Sequence, residues 1–348
     1  MEQSRITQKR PRIAYIDIAK GILIMCMLYG HIRVYGPMEG MNDPVMHIMS
    51  HTSGLYGAFF MQSFFIITGF CTSFTGGGKK YIWKNIKTLL IPSILLFLLS
   101  EYYKVTFFQG IIDLSPFRKL FDWLTVGGPW FIIALFWAKL LYYLICKLGI
   151  KYQAALLLIL YLFALACNFF NITNYQWFQH TLLLMPYLFV GKICRENWMK
   201  IEPKLKYIAY FGLVTILLEN ILSQCGVFSL PEQDFAICIS FKNFPLHIVN
   251  SLSGTAFVIY ASKLIGTNNF IQTMGTGTLL CYLWNGIVYR TIVRGLMSGY
   301  NTDNIIICSL FHLVALTLCY FIFYNLIKLI YQHKYLKWIV GKWKVFII

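Results

Sequence analysis

The sequence predicts an all-α, polytopic membrane protein with about ten transmembrane helices and both termini in the cytoplasm. Three observations carry this. Apolar residues make up 58% of the chain and charged residues 12%, where a soluble domain holds about a quarter charged residues. The apolar residues fall into ten segments, each near the roughly 20 residues a bilayer crossing needs. Basic residues gather in every second connection, the asymmetry that orients membrane proteins.

The expected spans are 13–34, 53–74, 83–103, 129–147, 152–170, 178–194, 206–224, 246–265, 276–295 and 304–330. They form one membrane domain over residues 1–348. Residues 1–12 are a basic cytoplasmic segment and 331–348 a basic cytoplasmic tail. No small-residue cleavage pattern follows the first span, so it is expected to be retained rather than removed as a signal peptide. With the N-terminus inside, the cytoplasmic connections collect about twenty basic residues, among them Arg12, Lys79, Lys80, Lys84, Lys87, Lys192, Arg195 and Lys263. About seven fall outside, including Arg33, Arg290 and Arg294. No internal repeat of the inverted-transporter kind is present.

The net charge of +17 is distributed by topology rather than along one face, which argues against a nucleic-acid partner. Ten cysteines show neither CxxC nor metal spacing, and no metal is expected; most read as small buried hydrophobes. Cys225 and Cys238 flank a long outer loop, where a pairing would need an oxidising compartment.

The first span, DIAKGILIMCMLYGH over Asp17–His31, holds the most informative polar residues. An ionisable group at the centre of a membrane helix costs roughly 2.5–3.5 kcal/mol on the insertion scale. Lys20 and His31 are eleven residues apart, about three turns, so they share a face roughly 16 Å apart along the axis. Asp17 lies at i,i+3 to Lys20 and can pair with it. Two readings stand: a structural ion pair at the membrane edge, or a site running along one helix face. With no G-x-S-x-G elbow, no H-E-x-x-H and no P-loop, the chemistry that suits His31 is general-base removal of a hydroxyl proton.

The stretch R-I-A-Y-I-D-I-A-K-G-I-L-I-M-C-M-L-Y-G-H (Arg12–His31) resembles the opening helix of the acyltransferase-3 family, in its fucose 4-O-acetylase-like branch. That helix carries a basic residue, ten residues, then His. Five further stretches resemble the family's motifs in the family's order. They are FFMQSFFIITGF (Phe59–Phe70), KNIKTLLIP (Lys84–Pro92), GPWFIIALF (Gly128–Phe136), LMPYLFVGK (Leu184–Lys192) and MGTGTLLCYLWN (Met274–Asn285). In the last, Asn285 stands where the family usually has His, which leaves His31 carrying more of the chemistry.

The resemblance implies transfer of an acetyl or other acyl group from cytoplasmic acyl-CoA to a sugar hydroxyl of a surface or secreted polysaccharide, or of its lipid-linked precursor. It places the protein in the inner membrane, among membrane lipids. His31, Lys20 and Asp17 are the expected catalytic residues. Lys20, Lys79, Lys80, Lys84 and Lys87 are expected to bind the donor's phosphates, as point charges do. Trp130, Glu219, Arg290, Arg294 and Asn285 are expected on the acceptor side; Arg290 and Arg294 share a face at i,i+4. With no module expected after the last span, the whole reaction is expected among the spans. Two other classes fit a chain of this composition: a transporter or flippase for a glycan or polyisoprenyl-linked sugar, and a non-catalytic assembly or sensory membrane protein. Sequence leaves the oligomeric state open.

Overall fold

The computed structural model describes residues 13–35, 55–57, 59–104, 130–170, 172, 176–225, 244–297, 304–334 and 336–340. Residues 1–12, most of the loop holding Cys238, and the tail beyond 340 lie outside the described residues. So do the side chains of Arg33 and Arg294. Cys225 carries a free thiol.

Among the described residues every regular element is helical. They are α1 (Ala14–Tyr35), α2 (Phe60–Cys71), α3 (Gly78–Asn85), α4 (Ile91–Lys104), α5 (Trp130–Ile145), α6 (Ile150–Phe169), α7 (Gln176–Glu196), α8 (Trp198–Ile201), α9 (Leu205–Gln224), α10 (Phe244–Ile265), α11 (Asn269–Thr276), α12 (Thr278–Met297) and α13 (Ile305–Gln332). A π-helical turn, Ile86–Leu90, joins α3 to α4. Pro92 follows it, and a proline cannot donate to the carbonyl four residues back, a common cause of a widened turn. Asn304 caps α13, its side-chain oxygen accepting from the Ile306 and Ile307 amides.

Each of the ten expected segments overlaps a helix, α3 and α4 together making one. Five stretches are long and apolar enough to cross a membrane by length and composition: Gly78–Tyr103, Ile150–Phe169, Trp198–Leu222, Phe244–Ile265 and Ile305–Gln332. Their outward faces are apolar. Leu158, Ile159 and Phe163 on α6, Phe211, Val214 and Leu218 on α9, and Leu310, Leu313 and Phe321 on α13 are all exposed. Such faces suit lipid rather than water. The structure is that of a helical, multi-pass membrane protein.

Lipid tails are as apolar as leucine, so close packing rather than hydrophobic exclusion holds such helices together. Glycines mark the closest approaches. A Cβ on Gly69 of α2 would collide with the Leu188 backbone on α7, and one on Gly191 of α7 with the Ile66 backbone on α2. The same device joins α1 to α11: Gly21 lies against the Ile271 backbone, and Gly275 against the Asp17 backbone. Helix α1 also packs against α2, α10, α12 and α13, so the helix with the polar face lies at the centre. Helix α11 was not expected as a separate element. Gly277, packed against Ile327 of α13, separates it from α12.

Candidate active site

Asp17 and Lys20 meet as expected, Nζ to carboxylate 3.7 Å, with side chains 10% and 28% exposed. They line a cavity of about 610 Å³ between α1, α2, α5, α7, α11 and α12. Ile24 and Met27 of α1 line it as well. Lys20, Ile24 and Met27 are spaced by four and three residues, so the cavity climbs one stripe of the helix for about 10 Å. Its far end is built by Met61 and Phe64 of α2, Phe131 of α5 and Tyr282 of α12. Phe64 and Phe131 touch edge to face, centroids 5.8 Å apart. At the other end lie Cys71, Thr72, Ser73, Arg195 and Thr276; Cys71 and Ser73 are exposed, so the cavity opens there.

His31 continues the same stripe one turn beyond Met27 and is half-buried. It lies outside the cavity's lining but is tied to it: its Nδ1 is 2.8 Å from the Met27 carbonyl oxygen. A carbonyl only accepts, so Nδ1 carries the proton. In the neutral ring the lone pair then belongs to Nε2. Asn285 reaches the same residue from α12. Buried at 5% exposure, it donates from Nδ2 to the Tyr282 carbonyl at 2.7 Å and lies 3.7 Å from the Met27 sulfur. Met27 is thus bracketed by His31 and Asn285.

The structure gathers less of the rest. Lys79, Lys80 and Lys84 are exposed, and Lys87 lies over the Trp83 ring; none of the four lines the cavity. Trp130 packs edge to face against His180, centroids 4.5 Å apart. Glu219 is buried on α9. That helix turns Leu205, Ala209, Gly212, Ile216 and Glu219 inward, and Gly212 sits against Ser253 of α10. Glu219 therefore faces α10 rather than the cavity. Arg290 is exposed on α12, outside the lining.

Sequence reasoning missed Arg195 as a site residue and counted it only as topology. Phe64, Thr68 and Phe131 lie within the family-like stretches Phe59–Phe70 and Gly128–Phe136 without being singled out as site residues. All four line the cavity, while Gly69 is the residue that makes the helix contact. Among the described residues no cluster of His, Cys, Asp and Glu is arranged to hold a metal.

An inward-facing ion pair, a cavity along one helix face and a neighbouring imidazole in a helical membrane bundle are a fitting frame for group transfer. A family model described as an acyltransferase domain matches residues 13–324. The chain belongs to that family, acyltransferase 3, and is a membrane acyltransferase. No curated protein and no solved structure matches it.

Proposed function

We propose that this protein transfers an acyl group, in the simplest case acetyl, from acyl-CoA on the cytoplasmic side to a sugar hydroxyl of a polysaccharide or its lipid-linked precursor. The chain would make about ten crossings with both termini inside, in the inner membrane, as the basic connections favour. The observation that supports this best is the stripe Lys20–Ile24–Met27–His31. Its first three residues line a cavity and its fourth is hydrogen-bonded to the third. A cavity that runs along one helix face, with a cation toward its open end, suits a donor with an anionic head and a long thin arm. The fucose 4-O-acetylase-like branch, with a sugar acceptor, rests on the sequence motifs alone.

In this reading the thioester lies near Met27, within a turn of His31. Nε2 removes the proton from the acceptor hydroxyl as its oxygen attacks the thioester carbonyl. The carbon–sulfur bond breaks, the coenzyme A thiolate leaves, and the imidazolium returns the proton to that sulfur. The Nδ1–H bond to the Met27 carbonyl fixes the tautomer and ring plane. Lys20 holds the anionic end of the donor, with Asp17 fixing the ammonium.

The test is transfer of labelled acetyl from acetyl-CoA to glycan in membranes containing the protein. General-base catalysis contributes about 10²–10⁴-fold, so His31→Ala should lower labelling by that factor while the protein still elutes as folded. Unchanged labelling in His31→Ala removes the histidine from the mechanism. Glycan movement without labelling selects the flippase instead.

A further inference from the structure

Arg195 is a half-buried cation that has no ion pair among the described residues. It lies in the last turn of α7, lines the open end of the cavity, and stacks its guanidinium 4.9 Å from the centroid of the Phe70 ring. Two carboxylates, one lining the same cavity and one next to it in sequence, have other cations as partners. Asp17 pairs with Lys20 at 3.7 Å and Glu196 with Lys192 at 3.6 Å. Among the described residues Arg195 has no ion pair of its own. Lys20 is offset by Asp17, so the surplus positive charge at the cavity mouth comes from Arg195. One face of the guanidinium rests on Phe70, and a planar fork of N–H donors matches two oxygens of one phosphate in a way an ammonium does not.

Resting on the acyl-CoA reading above, we infer that Arg195 grips a phosphate group of the donor at the cavity mouth and sets selectivity for phosphate-bearing pantetheine thioesters. A simpler role for such a cation is to complement the C-terminal end of the helix dipole. Lys192, one turn earlier on α7, does not line the cavity, so it serves as the control for loss of a positive charge near this helix end.

The experiment measures binding of coenzyme A and of pantetheine, which lacks phosphate, to the purified full chain in detergent micelles. The wild type should bind coenzyme A more tightly. Arg195→Gln should weaken coenzyme A binding about 10–100-fold, the range for a lost hydrogen bond to a charged group, and leave pantetheine binding unchanged. Arg195→Lys should fall between, and Lys192→Gln should change neither ligand. The inference is overturned if Arg195→Gln keeps the wild-type preference, or if Lys192→Gln weakens coenzyme A as much. A wild type that shows no preference for coenzyme A over pantetheine removes the donor reading itself, and this inference with it.

Discussion

Gly275→Ala tests the close crossing that sets the position of the Asp17–Lys20 pair. A Cβ at Gly275 would fall 2.8 Å from the Gly21 nitrogen and 2.9 Å from the Asp17 carbonyl carbon, with the Asp17 oxygen nearer still. Non-bonded carbon contacts prefer about 3.5–4.0 Å, so α11 and α1 must part by more than about 1 Å at this turn, the Asp17 oxygen setting the distance. The obstacle is backbone on both sides and cannot rotate away. Overpacking of this kind costs about 1–3 kcal/mol, which at about 2–4 °C per kcal/mol for a mid-sized domain lowers the melting midpoint by several degrees. A displacement of about 1 Å near a reacting site can cost about 10²-fold in rate, so acyl transfer should fall by more than stability alone explains. Gly77→Ala is the comparison. Nothing lies within 4 Å of a Cβ there and its backbone is extended, so the change should be neutral within about 0.5 kcal/mol. Thermal unfolding in detergent and initial transfer rates report both effects. If Gly275→Ala melts and turns over like Gly77→Ala, the α1–α11 crossing is not as described.

Other changes separate site from scaffold. Lys20→Met leaves Asp17 without its ammonium and should lower kcat/KM for acetyl-CoA by about 10–100-fold, whereas Lys20→Arg keeps the cation and should retain most activity. Gln153 closes the turn between α5 and α6: its Oε1 accepts from Tyr142 Oη at 3.1 Å, and its Nε2 donates to the Cys146 and Leu148 carbonyls at 3.2 and 2.6 Å. Gln153→Ala orphans the buried Tyr142 hydroxyl and should cost about 1–3 kcal/mol, read as a lower melting midpoint with KM for acetyl-CoA unchanged.

The helix positions were legible in the sequence because a bilayer demands long apolar runs with every backbone bond satisfied inside the run. The Asp17–Lys20 pair was legible because i,i+3 spacing places side chains together whatever surrounds them. Inward orientation was harder. A helix such as α5 is apolar nearly all round, so its period does not say which side faces a cavity and which faces lipid. That is why Phe131 is not separable from packing residues in the sequence. Arg195 was hidden for a different reason: a basic residue at a helix end is what topology alone predicts, and only its place beside Phe70, inside the cavity, distinguishes it from Lys192. The Lys79–Lys87 run stands out in the sequence by density of charge, and α3 turns Lys79, Lys80 and Lys84 outward. The break between α11 and α12 was missed because Gly277 reads as an ordinary small residue until Ile327 is seen packed against it.

The central claim is that the acyl group travels up the Lys20–Met27 face to His31. An acyl-CoA carrying a photoreactive diazirine at the acyl end, activated on the folded protein and mapped by mass spectrometry, reports where that end rests. Adducts on α1 between Ile24 and His31, and across the cavity on Met61 or Tyr282, suppressed by excess coenzyme A, are the predicted result. Adducts confined to α6 or α9, or indifferent to coenzyme A, contradict it.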